Sequence, residues 1–215
     1  MLLRIMFSLV MVGAVLQLSE IFWDHKIIRG EALRKLVHVL VGSFVASWPW
    51  LMNWQYIRLI SVAFLLTVII NRRYKIFHAL HTVKRKSYGD ICFALGIGAS
   101  ALLTSSKVYF SIAIISLALA DAVAALVGEK YGTNWAYKVF GQKKTVIGSM
   151  AFWISIMWIL GIGLALGSIA SPYSNYILAL ILIPPVATLA ENIFPYGLDN
   201  LAVPLTLVGM LTLLQ

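Results

Sequence analysis

The chain has 215 residues, 61% of them hydrophobic and only 12% charged, with a formal net charge of +9 and a mean hydropathy of +0.90. That balance excludes a soluble globular core. Divided into spans of about 20 residues, the length accommodates seven or eight transmembrane helices and leaves no room for a soluble domain. A single cysteine, Cys92, excludes an intrachain disulfide and a multi-cysteine zinc site. The expected fold is all-α: one integral domain over residues 1–215, a polytopic membrane helix bundle.

Apolar runs and polar breaks place the spans at 2–22, 33–50, 56–70, 88–103, 110–128, 146–167, 176–194 and 200–214. In the first, Arg4 precedes an apolar run with no small-residue cleavage site behind it, so the segment is expected to stay as an uncleaved helix. The last reaches only about 22 Å, against a hydrocarbon core of about 30 Å, so it must tilt, re-enter or thin the bilayer. Pro184 and Pro185 remove backbone donors from the seventh and are expected to kink or break it.

Of the 17 lysines and arginines, all but Arg4, Arg58 and Lys107 fall in the loops after the first, third and fifth helices. Cytoplasmic loops retain positive charge, so these three loops face the cytoplasm and the N-terminus lies on the opposite side. Topology and attraction to anionic headgroups explain most of the positive charge, including Arg72, Arg73 and Lys75, without a nucleic-acid partner. The acids need another explanation, because carboxylates contribute little to orientation. Yet Glu31, Asp90, Asp121, Glu129, Glu191 and Asp199 all fall at or near the same ends. A surface holding both kinds of charge suits a metal-nucleotide complex, in which a divalent ion offsets repulsion between carboxylates and a polyphosphate.

In EALRKLVHVLVG, Glu31, Arg34, Lys35 and His38 recur at three- and four-residue spacing and share one helix face. Arg34 and Lys35 either snorkel to lipid phosphates or hold a substrate phosphate, whereas His38 lies a turn deeper and is read as a site residue. In KRKSYGDICFALG, the cations ending at Lys86 either anchor the chain at the headgroups or bind phosphate. Asp90 either caps its helix or contacts metal or nucleotide. His78 and His81 are read as interfacial. Asp121 stands in the uncharged run SIAIISLALADAVAALVG. A carboxylate at the centre of a membrane helix costs roughly 2.5–3.5 kcal/mol and so faces a polar cavity, where it serves an ion or a substrate.

Downstream, GQKKTVIGS is not a Walker loop, yet its parts suit phosphate: Lys143 and Lys144 supply charge, the amides opening the next helix can bind oxygens, and Gly148 allows close approach to the backbone beside Thr145 and Ser149. ENIFPYGLDN offers Glu191, Asn192, Asp199 and Asn200 as hard oxygen ligands of the kind magnesium prefers, around a turn at Pro195 and Gly197.

Together RKLVHVLVG, SYGDICFALG, ADAVAALVGEKYG, GQKKTVIGS and ENIFPYGLDNLAVP, spanning about residues 29–209, resemble the dolichol kinase and phytol kinase family of membrane enzymes. The resemblance implies transfer of the γ-phosphoryl group of CTP to a lipid alcohol, with Mg2+ as the cofactor, at the cytoplasmic face of the bilayer. It implies nucleotide handling for Lys143, Lys144 and Ser149, and metal or catalytic roles for Asp121 and Asp199. The residues read on their own complete an expected site in which Asp121, His38 and Asp199 are catalytic. Asp121, Asp199 and Glu191 hold the metal; Lys143, Lys144, Thr145, Gly148, Ser149, Arg34 and Lys35 hold the nucleotide; Lys86, Asp90 and Asn200 are further substrate or phosphate contacts. Two other readings use similar parts: a CTP-dependent phosphatidate cytidylyltransferase, and a cation-coupled transporter built around Asp121 and the broken seventh helix.

Overall fold

The computed structural model describes residues 2–74, 76–77, 87–167 and 173–214; Lys75, His78, His81, Lys84, Arg85 and Lys86 lie outside them. The described chain is a helix bundle carrying one small hairpin. Its helices are α1 (Leu2–Asp24), α2 (Gly30–Val45), the single turn α3 (Trp48–Leu51), α4 (Trp54–Tyr74), α5 (Gly89–Leu103), α6 (Lys107–Ile115), α7 (Asp121–Tyr131), α8 (Val146–Leu166), α9 (Tyr173–Ile193) and α10 (Asp199–Leu213).

α6 and α7 form one continuous helix over Lys107–Tyr131, joined by a wider π-helical turn at Ser116–Ala120. This helix is the post of the bundle: 61% of its most apolar stretch is buried, against 11–28% for the other long helices. Its sequence explains why. Tyr109, Ile112 and Ala113 pack with α8, α9 and α10, while Phe110, Ile114 and Leu117 pack with α2, α4 and α5. Helical spacing thus splits one apolar run into two faces, each filling its own core. Small residues bring neighbours close to the post. A Cβ on Gly42 would lie 2.6 Å from the Ala118 side chain, so glycine there lets α2 close on the π turn. On the outside, Leu59, Val62, Leu66, Ile69 and Ile70 of α4 form an exposed apolar stripe, as a lipid-facing surface requires.

Each of the eight expected spans is helical, the second one interrupted at Ala46 and Ser47 between α2 and α3. Among the described residues, five helices are long and apolar enough to cross a membrane: α1, α4, α6–α7, α8 and α9. α2, α5 and α10 have 16, 15 and 15 residues, and so reach only about 22–24 Å. Five of the eight expected spans thus meet that length and apolarity, and the other three are shorter helices packed among them. α9 also runs unbroken through Pro184 and Pro185. Neighbouring helices shield the carbonyls that lose their donors, so a membrane helix tolerates the prolines.

The hairpin is the element the sequence reading lacked. β1 (Ala136–Val139) pairs antiparallel with β2 (Gln142–Thr145) through a two-residue turn with positive φ at Phe140 and Gly141. Such a turn matches strand twist, but its usual signature is Asn-Gly or Asp-Gly. Phenylalanine in the left-handed region hides it.

Candidate functional site at one end of the bundle

Asp121, Glu191 and Asp199 reach the same point from three different elements. One oxygen of each carboxylate lies within 4.8 Å of the others. Asp121 is the first residue after the π turn, Glu191 stands two residues from the end of α9, and Asp199 begins α10. A π turn accommodates one extra residue within a helix, and such turns concentrate at functional sites.

Two lysines offset the acids. Lys35 of α2 donates to the Asp121 carboxylate at 2.9 Å and to its backbone carbonyl at 3.1 Å. Lys144 of β2 is ion-paired with Glu191, donates to the Glu191 carbonyl at 3.1 Å, and lies 4.0 Å from Asp199. The Lys144–Glu191 pair is withdrawn from solvent, with side chains 17% and 8% exposed. At an effective dielectric of about 20, two carboxylates about 5 Å apart repel by roughly 3 kcal/mol, so three together call for further positive charge. Asp199, the first residue of α10, registers this: burial first, then the Asp121 and Glu191 charges, push its carboxyl up to about 6. The three hard-oxygen donors fit a divalent cation of the magnesium type.

A cavity of about 490 Å³ opens above the acids, with Arg34, Lys35, Lys143, Lys144, Thr145 and Ser149 in its wall beside Asp121, Glu191, Asp199 and Asn200. Glu129 and Ser87 also line it. Among the described residues Lys143 makes no ion pair and is exposed, which leaves it as a cation directed at the cavity. Arg34 is ion-paired with Glu31 and lies against the start of α5.

Several predicted residues reach the cavity wall already engaged. Thr145 caps α8, its hydroxyl accepting from Gly148 N at 3.0 Å, so one amide expected to be open for phosphate is satisfied within the protein. Packing alone already requires a glycine at Gly148. A Cβ there would lie 2.9 Å from the Ala124 carbonyl and 3.3 Å from Gly128 Cα, where α7 crosses α8. Ser149 joins Tyr137 at 2.7 Å and Asn192 at 3.0 Å, a three-way contact that fastens the hairpin to α8 and α9. Tyr137 escaped the sequence reading because its role depends on a hairpin that reading did not contain.

Asn200 and Gly197 belong to a second fastening. The Asn200 amide donates to Gly89 O at 2.8 Å, and Tyr88 N donates to Tyr196 O at 2.8 Å. Gly197 has φ +90°, and a Cβ on it would lie 2.4 Å from Gly89 N. SYGD and PYGLDN therefore interlock, and the interlock sets where Asp199 points. Asp90 is not brought to the acids; it receives Arg72 Nε at 2.8 Å across α4 and α5. His38 also lies outside the main cavity. Its ring is 4.0 Å from that of Phe93, its Nε2 is buried with no hydrogen-bond partner among the described residues, and it lines a separate slot.

The chain is 28% identical over 200 residues to a phytol kinase of Synechocystis sp., covering 90% of this chain and 83% of that protein. This chain is related to the phytol kinase and dolichol kinase family. The similarity spans nearly all the elements that build the cavity, and it supports a lipid-alcohol kinase in a membrane. No protein-family model matches the chain, and no solved structure does.

Proposed function

We propose that the protein transfers the γ-phosphoryl group of CTP to the hydroxyl of a membrane lipid alcohol, at the cytoplasmic face of the bilayer. The observation that carries this reading is the convergence of Asp121, Glu191 and Asp199 under a cavity walled by Arg34, Lys35, Lys143 and Lys144. The relationship to a phytol kinase supports the acceptor class. Neither charge set suffices alone: the acids would repel a polyphosphate, and the bases would not explain three converging carboxylates, one of them buried.

Phosphoryl transfer passes through a loose transition state, so alignment and charge neutralisation matter more than a strong base. Asp121, Glu191 and Asp199 would hold Mg2+, which would supply neutralisation of the phosphate charge. Lys143 and Arg34 bind phosphate oxygens from the cavity wall, and Lys35 and Lys144 carry positive charge from the acids toward them. His38, with a buried and unclaimed ring nitrogen, accepts the hydrogen of the acceptor hydroxyl and orients its oxygen.

The test is to incubate purified protein with magnesium, CTP labelled at the γ-phosphorus, and a set of long-chain alcohols. Label is expected in the lipid. Label released as pyrophosphate would instead establish cytidylyl transfer, and no reaction with any alcohol would overturn the proposal.

A further inference from the structure

The slot that holds His38 lies between α1, α2, α4 and α5 and encloses about 80 Å³. Its polar and apolar residues are sorted by depth. Arg34, Asn71 and Asp90 stand at one end, level with the acid cluster, and Val41, Phe64 and Leu16 stand at the other. From Arg34 to Val41 along α2 is about 10 Å at 1.5 Å per residue, and α4 runs antiparallel beside it, so Asn71 and Phe64 show the same gradient. Arg34 lines both this slot and the main cavity, so the two share a wall at their polar ends. One turn along α2 from Arg34, inside the slot, sits His38, whose Nε2 is desolvated without a hydrogen bond from the described protein. A buried polar atom without a partner costs free energy, and a ligand hydroxyl would recover it.

We infer that this slot receives the first carbons of the acceptor's hydrocarbon chain, delivering its hydroxyl past His38 to the acid cluster while the rest of the chain continues into the bilayer. The inference rests on the proposed kinase reading and adds where the acceptor lies. The slot's polarity matches an alcohol in a leaflet, with its hydroxyl at the level of the acids and its chain directed toward the membrane centre. About 80 Å³ spread along about 10 Å leaves the width of one chain. Entry is lateral: α1 packs mainly along α2, and α4 along α5, so the slot lies on the seam between two pairs.

Thr67 is exposed on α4 and lines the slot, so a larger side chain there narrows it with little cost to folding. Thr67→Trp should raise KM for a long-chain alcohol roughly tenfold, leaving the nucleotide KM and the rate at saturating acceptor within about twofold, the signature of lost uniform binding. Phe64→Ala, which widens the slot, should shift preference toward bulkier branched chains. A long-chain alcohol carrying a diazirine should label α2 and α4 at the slot in unsubstituted protein. Unchanged acceptor KM in Thr67→Trp, or labelling confined to the outer faces of α8 and α9, would overturn the inference while leaving the kinase reading intact. An unsubstituted protein that transfers no phosphoryl group to any alcohol would overturn both.

Discussion

Lys143 and Lys144 are adjacent in sequence but occupy different electrostatic positions, and alanine at each separates them. Lys143→Ala removes an exposed cation with no ion pair among the described residues; it should raise the nucleotide KM about tenfold without lowering stability. Lys144→Ala strands the Glu191 carboxylate in a withdrawn site, a change that costs about 3–5 kcal/mol where a buried pair loses one partner. Thermal unfolding in detergent distinguishes the two: only Lys144→Ala should unfold earlier, and Glu191→Gln in the same chain should restore most of the loss. At Asp121 the isosteric Asp121→Asn keeps size and hydrogen-bonding capacity but removes charge. Turnover should fall at least about a hundredfold with normal membrane insertion, and normal turnover would remove Asp121 from the chemistry. The acids and lysines could be picked out in the sequence because charge in an apolar run is conspicuous. Which lysine pairs with which acid could not, since Lys35 and Asp121 are 86 positions apart.

Among the elements, the turns and joints aim the site. The PYGLDN turn needs left-handed backbone at both Tyr196 and Gly197, and it presses against the start of α5. Gly197→Ala adds left-handed strain of about 1–2 kcal/mol as well as a clash with Gly89, so the protein should be destabilised by at least about 2 kcal/mol. Because Asp199 is two residues on, turnover should fall by more than the folded fraction does. Equal losses in the two measurements would show that the turn only stabilises. This interlock explains why SYGD and PYGLDN both stood out as motifs: each is the other's contact surface. The hairpin stayed hidden because its turn carries Phe140 where asparagine or aspartate would announce it, and its strands lack clear apolar alternation.

For the whole molecule, the three short helices share one placement: each starts at the end of the bundle that holds the acids. α5 and α10 both begin at the level of the acids, as the Asn200–Gly89 hydrogen bond shows, and run toward the opposite end of the bundle. Their reach of about 22 Å falls short of a hydrocarbon core of about 30 Å by roughly 8 Å. The charge asymmetry follows the same axis. Arg4 donates to Leu51 O and Arg58 to Ala101 O, at the end away from the acids. With Cys92 buried, a cysteine introduced at Lys143 should react with a membrane-impermeant maleimide only from the cytoplasmic side, and one at Arg4 only from the other. The opposite pattern would reverse the proposed orientation.

By itself the sequence determined a helical membrane protein, the end of the bundle that carries its charges, and the acids and bases worth naming. These follow from hydropathy and from the cost of placing charge among apolar residues, both local properties of the chain. Only the tertiary structure decided that three carboxylates share one point, that Thr145, Gly148 and Ser149 are engaged by capping and packing, and that His38 faces an apolar slot. Those outcomes depend on helix phase, on a π turn and on contacts between residues far apart in the chain, and helical periodicity alone carries no information about distance between helices.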